Sequence, residues 1–221
     1  MKVLVIAPHP DDEVIGVGGT IAKRTASGDD VYVCVVTKGY RPLFAEMLVE
    51  QSRNECRQAD KILGVKETIF LDFPAVMLET VPRHELNGKI AEVFQKIKPD
   101  EVYIPHRGDM QIDHQIVVDA AMVAVRPRGS NFPKRVYAYE TLSETGWNIP
   151  NVVNDFIPTV YEDISETFQQ KLEAMDIFQS QLADFPNARS LGAIEALAKF
   201  RGATVNRKAA EAFALIREVK S

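Results

Sequence analysis

The residues with the clearest chemical potential stand together near the N-terminus, in Ala7-Pro8-His9-Pro10-Asp11-Asp12-Glu13. A neutral imidazole nitrogen and a carboxylate oxygen are both ordinary zinc ligands, and Pro10 removes a backbone donor and favours a tight turn. Folded into that turn, His9 and Asp12 are expected to converge on one ion, leaving Asp11 free to act as a base on water. Acids also favour helix N-termini, so capping of the next helix would account for one of them. It does not account for a histidine and three acids together behind an apolar run. A catalytic metal with an open position needs a third protein ligand. The segment Pro105-His106-Arg107-Gly108-Asp109-Met110-Gln111-Ile112-Asp113-His114 offers His114, with Asp113 beside it as an acceptor able to orient an imidazole. His106, in the same segment, is a candidate for proton transfer or substrate contact, whereas His84 reads as a solvated helix start.

These groups can meet only if the chain brings two strand ends to one edge of a sheet. Short β-rich apolar runs alternate with longer helical patterns, the signature of βαβ units and a mostly parallel sheet. Strands are expected at Lys2 to Ala7, Val31 to Thr37, Thr68 to Leu71, Glu101 to Ile104 and Arg135 to Tyr139. Helices are expected near Gly19 to Ser27, Pro42 to Leu63, Arg83 to Lys98 and Ile112 to Val125, with Gly64 and Pro99 just past helix ends. Both chemical segments then follow strands, at the edge where open α/β sheets bind ligands. Gly16-Val17-Gly18-Gly19-Thr20 invites a pyrophosphate-cradle reading, but its spacing departs from the dinucleotide fingerprint and the preceding acids would repel phosphate. These glycines are expected to allow close backbone packing instead. Leu142 to Pro158, with Trp147, reads as a long irregular loop. Helix is expected again over Ser165 to Ser180 and Ser190 to Val219, with a break near Gly202.

A chain of 221 residues with 46% hydrophobic content suits a single α/β domain over residues 1–221. The net charge of −5 and pI of about 5.5 argue against nucleic acid as the partner. The apolar run Val3 to Ala7 is too short for a signal-peptide core and no stretch approaches membrane-spanning length, so a cytoplasmic location is expected. The two cysteines, Cys34 and Cys56, lack paired metal-site spacing and are expected to be small core residues. The composition neither requires nor excludes a homo-oligomer.

With both half-sites in view, the sequence resembles the PIG-L or LmbE-like de-N-acetylases, zinc enzymes acting on N-acetylglucosamine-containing and related substrates. His9-Pro10-Asp11-Asp12-Glu13 followed by Gly-Gly-Thr, and Asp113-His114 downstream, carry the resemblance. Arg53-Asn54-Glu55, Leu63-Gly64-Val65, Asp72, Ser180-Gln181, Arg201-Gly202 and Ala210-Glu211-Ala212-Phe213 extend it along the chain. The resemblance implies a Rossmann-like three-layer α/β fold with a mostly parallel sheet flanked by helices. It also implies hydrolytic removal of an N-acetyl group from an N-acetylglucosamine-like amino sugar or its conjugate, a small-molecule substrate. One zinc ion per chain would sit on His9, Asp12 and His114, with Asp11 as general base and Arg53, Asp72 and Asp109 against the substrate. Many relatives carry His-x-x-His in the second motif, where this chain has Gln111 before His114. A glutamine amide can donate a hydrogen bond to an oxyanion but cannot deliver a proton. Either Gln111 serves purely as a donor, or His106 replaces the imidazole, or the activity differs. Two alternatives stay open: a metal-dependent hydrolase of another amide or an ester, and a non-catalytic sugar-nucleotide-binding module.

Overall fold

The computed structural model describes residues 1–128, 132–149 and 155–220. Strand β1 (Lys2–Ala7) leads into helix α1 (Asp12–Ala26), followed by β2 (Asp30–Lys38), α2 (Glu46–Leu63), β3 (Glu67–Pro74), α3 (Arg83–Ile97), β4 (Glu101–Pro105) and α4 (Ile112–Ala124). Then come β5 (Arg135–Tyr139), β6 (Val160–Asp163), α5 (Phe168–Asp176), α6 (Leu191–Thr204) and β7 (Ala210–Glu218). The strands form one seven-stranded sheet in the order β3-β2-β1-β4-β5-β7-β6. The first five of these positions pair in parallel, and β7 pairs antiparallel with both β5 and β6. The order reverses between β1 and β4, which opens a crevice at their carboxyl ends. The segments carrying His9 and His114 leave the sheet at those two ends.

Alternation along the central strands builds a layer of helices on each face. Val3, Val5 and Ala7 of β1, with Val31, Val33 and Val35 of β2, pack toward α1, α2 and α5, where Val14, Cys56, Leu63 and Met175 meet them. Leu4 and Ile6, with Cys34 and Val36, point the other way, toward Ile90 and Phe94 of α3 and Val117 and Ala121 of α4. Strands covered on both faces are apolar at nearly every position, hence the unbroken run at β1. Both cysteines are buried and unbridged. Among the described residues no helix is long and apolar enough to cross a membrane.

The structure corrects two expectations about elements. Helix α1 begins at Asp12 rather than near Gly19, so Gly16, Gly18 and Gly19 lie inside it and no glycine loop is open to hold a phosphate. A side chain at Gly16 would meet the Tyr139 ring at 2.2 Å and one at Gly19 would meet Ile164 at 2.6 Å, so the glycines let α1 settle onto β5 and the segment after β6. The second correction concerns residues 205–219, where the alanine-rich composition reads as helix. Helix α6 ends at Thr204, and Ala210–Glu218 is instead strand β7, inserted between β5 and β6. Alanine's helix preference is worth only tenths of a kcal/mol per residue, and a full set of ladder hydrogen bonds on two sides overrides it. Much of the expected loop from Leu142 to Pro158 is irregular, with residues 150–154 outside the described part.

Tyr139 is fully buried, and its hydroxyl donates to the Ile6 carbonyl at 2.9 Å, so its ring cannot yield to a new methyl group. Gly16→Ala gains about 1 kcal/mol of helix propensity, but overpacking costs about 1–3 kcal/mol. A lower urea midpoint is expected; an unchanged midpoint would show that β5 can shift.

Candidate metal centre and active-site pocket

The turn after β1 is fixed from several sides before any side chain acts. The Thr37 amide and hydroxyl both donate to the Pro8 carbonyl, at 3.0 and 2.8 Å. The Asp12 carboxylate reaches back to accept the His9 amide at 2.8 Å. Asp11 adopts φ 118°, a region that side chains other than glycine rarely enter. Its amide donates to Glu13 Oε2 at 3.1 Å, while its carbonyl accepts from Val14 and Ile15. Glu13 is itself buried in a cluster with Cys56 and Asp60, where the Cys56 thiol donates to Glu13 Oε1 at 3.5 Å and Thr68 donates to Asp60 at 2.5 Å. The strained Asp11 backbone thus rests on groups from α2 and β3.

His9, Asp12 and His114 come together, with one ligand atom from each within 4.8 Å of the others. His9 Nδ1 and His114 Nε2 each lie 3.3 Å from Asp12 Oδ2. The far side of each ring is held by another carboxylate. His9 Nε2 meets Asp113 Oδ2 at 3.1 Å, and His114 Nδ1 meets Asp109 Oδ2 at 2.8 Å. Each acid is fixed in turn: Asp113 accepts from the Val76 and Leu78 amides, and Asp109 accepts from the Thr145 hydroxyl at 2.6 Å. Carboxylates placed this way select the tautomer that leaves His9 Nδ1 and His114 Nε2 free to ligate.

The electrostatics favour added positive charge. Burial disfavours the charged form of His9, yet Asp113 and Asp12 outweigh it and raise its pKa to about 8. Burial likewise opposes protonation of His114, but Asp12 and Asp109 carry it to about 10. Asp12 is held well below the usual carboxylate range because the two histidines overcome its burial. Burial and the neighbouring Asp12 charge push Asp11 up to about 7, with Arg189 pulling the other way. Asp12 Oδ1 and His114 Nε2 are buried without hydrogen-bond partners. Two imidazoles and a carboxylate with orphaned ligand atoms, in a site that attracts cations, fit a divalent metal ion.

A cavity of about 240 Å³ opens beside this cluster, lined by His9, Asp11, Arg53, Gln111, Ser180 and Arg189 among others. Both Asp11 oxygens are buried and unpartnered. Arg53 lies on the cavity wall, stacked over Phe70 at 4.3 Å and ion-paired with Asp72. Gln111 precedes α4 and also lines the cavity. Asp72 is half exposed behind Arg53 and reaches the cavity only through it. Asp109, expected against substrate, is instead buried behind His114. His106 is buried too, with its ring edge-on to Phe156 at 5.3 Å, and is not among the lining residues. Arg189 and Lys38 are charged cavity residues that sequence reasoning missed, since one cation between two helices or at a strand end belongs to no spacing pattern.

The sequence profile described as PIG-L, GlcNAc-PI de-N-acetylase, matches residues 4–125, from β1 through α4 and hence both halves of the site. The chain belongs to the PIG-L family. This PIG-L chain is 31% identical to an uncharacterized deacetylase of Escherichia coli, YaiS, across 78% of its own length and 88% of the relative's. It is also 31% identical to the diacetylchitobiose deacetylase of Thermococcus kodakarensis, across 83% and 71% of the two chains. The solved structure of the N,N'-diacetylchitobiose deacetylase from Pyrococcus horikoshii superposes with a TM-score of 0.79 at 25% identity, covering 97% of this chain and 83% of that one. Mixed sheet and flanking helices are therefore shared along nearly the whole PIG-L chain.

Ligation requires the imidazoles to lose their protons, so metal binding must release protons and weaken as pH falls, first through about 10, to which His114 is raised, and more steeply below about 8, to which His9 is raised. Calorimetric zinc titrations between pH 6 and 8 should show this loss; a pH-independent affinity would contradict the ligand set. Asp109→Asn should weaken metal binding by about 10–100-fold, the usual effect of removing an imidazole's carboxylate partner.

Proposed function

We propose that this protein is a zinc-dependent N-deacetylase that hydrolyses the acetamide of an N-acetylglucosamine-like amino sugar or its conjugate. One observation carries the reading: a buried carboxylate with no hydrogen-bond partner, Asp11, faces a cavity beside a His9–Asp12–His114 cluster suited to a metal. Relatives named as deacetylases of diacetylchitobiose and of N-acetylglucosaminyl malate support the choice of an amino sugar. A cavity of 240 Å³ is below the roughly 300–1,000 Å³ of sites for drug-sized ligands, a size suited to one pyranose and its acetamide.

His9, Asp12 and His114 would hold the ion, which supplies Lewis-acid polarisation of the carbonyl and acidifies water at neutral pH. The residues of the chain do the rest. Asp11 takes the proton of the attacking water as its oxygen bonds to the carbonyl carbon. When the carbon–nitrogen bond breaks, Asp11 returns that proton to the departing nitrogen, and the water's second proton passes from the acetic acid to the amine, so that the products are acetate and an ammonium. An Asp11 pKa near 7 suits both directions of transfer. Asp109 and Asp113 keep the imidazoles in register, and Arg53, steadied by Phe70 and Asp72, is placed to hold sugar hydroxyls. His106 is not among the described residues that line the cavity, and proton return is assigned to Asp11, which is.

Acetate release from N-acetylglucosamine, its nucleotide-linked forms and simple esters tests the reading. Turnover of an acetamido sugar, lost with a chelator and regained with zinc, is expected. Preferred ester cleavage, or turnover indifferent to metal removal, would overturn it. Asp11→Asn should keep its metal and lose about 10²–10⁴-fold in kcat, whereas His114→Ala should lose the metal itself.

A further inference from the structure

Attack on an acetamide places a negative charge on the carbonyl oxygen, and that charge needs a fixed partner in a site already crowded with acids. Among the described residues, three cationic side chains line the cavity: Lys38, Arg53 and Arg189. Arg53 is committed to Asp72 and stacked on Phe70. Lys38 lies at the end of β2, with its ammonium 5.8 Å from the Tyr40 ring centroid. Arg189 differs from both. It sits half-buried just before α6, and its Nη1 donates to Gln181 Oε1 at 3.3 Å. No carboxylate lies within ion-pair distance of it among the described residues, although Asp11, Asp12 and Glu144 are the charges that act on it. Its guanidinium is therefore oriented by a neutral amide, beside the base and the metal ligands, with donors left to spend.

We propose that Arg189 is a catalytic residue whose guanidinium stabilises the oxyanion formed at the scissile carbonyl, where Gln111 can offer only a neutral amide. The inference rests on the deacetylase reading above. As the water oxygen bonds to the carbonyl carbon, the π pair of the carbonyl moves onto its oxygen and Asp11 holds the water's proton. Arg189 donates hydrogen bonds to that oxygen and exchanges no proton, since a guanidinium stays charged throughout. When the pair returns and the carbon–nitrogen bond breaks, Asp11 gives its proton to the leaving nitrogen and regains its charge, and the acetic acid released passes its remaining proton to the amine, giving acetate and an ammonium. A preorganised, half-buried cation acts on the transition state more than on the neutral substrate.

The test compares wild type, Arg189→Ala and Arg189→Lys, each loaded with zinc, on an N-acetylglucosamine substrate. Arg189→Ala should lose about 10²–10³-fold in kcat, with KM changed by less than about threefold. A methylphosphonamidate analogue of glucosamine, tetrahedral and anionic like the intermediate, should lose affinity by a similar factor. Added ethylguanidinium should restore part of the Arg189→Ala rate without affecting wild type, and zinc content should stay at one per chain. Arg189→Lys, which keeps the charge but not the planar fork, should fall between the two. Unchanged kcat, a rise in KM alone, loss of zinc, or no response to ethylguanidinium would each overturn the assignment. If wild type releases no acetate from any acetamido sugar, the deacetylase reading fails and takes this inference with it. If wild type and Arg189→Ala turn over alike, only the inference fails.

Discussion

The neutralisation of buried carboxylates is the constraint on which the carboxyl edge of the sheet depends. Asp11, Asp12, Asp109 and Asp113 are each 1% exposed or less, and all lie around two imidazoles. An isolated carboxylate buried in a protein tends to protonate rather than stay charged, so Asp12, Asp109 and Asp113 are each partnered, while unpartnered Asp11 is pushed up to about 7. Two helix N-termini meet here, with Asp12 in the first turn of α1 and Asp113 in the first turn of α4. Their positive ends contribute about 0.3–1 kcal/mol each toward holding negative charge. That is too little for four acids. The two histidines and the Arg189 guanidinium oppose the remaining charge, and what they leave unbalanced suits the site to a divalent cation.

The two imidazoles are held by one design applied twice. Asp12 faces the inner nitrogen of each ring, while Asp113 and Asp109 hold the outer ones. The partners are crossed in space relative to their order in the chain. Asp113, next to His114 in sequence, orients His9, and Asp109 orients His114. A helix explains the crossing: successive side chains at the start of α4 point about 100° apart, so neighbours in sequence cannot serve the same ring.

The C-terminal half acts on the site through helix α1. Glu211 of β7 accepts from the amides of Gly19 and Thr20, in the middle of that helix, at 2.9 and 2.8 Å. Lys171 of α5 donates to Glu211 and to the Ile15 carbonyl, at 2.6 and 2.8 Å. Gly18 lets the Lys171 side chain lie against α1, since a Cβ there would meet its Cγ at 3.2 Å, and the hydrogen bonds around this buried ion pair offset its desolvation. The helix that presents Asp12 is therefore clamped by residues nearly two hundred positions away.

Much of the architecture is legible in local pattern. Apolar runs at β1, β2 and β4 read as buried parallel strands because both faces are covered, and the motif at His9 to Glu13 lies where a strand must end. His9, Asp12 and His114 could be paired from sequence because ligand types and a shared sheet edge left few other ways to complete a metal site. Tertiary structure decided what local pattern does not encode. Residues 210–218 became a strand because β5 and β6 offered partners on both sides, against the preference of their alanines. The roles of Asp109 and Asp113 were set by side-chain direction at the start of α4, and the place of Arg189 by the packing of the segment before α6 against the base. Sequence spacing reports which residues share an element, whereas the charges that face one another across a cavity depend on how separate elements pack.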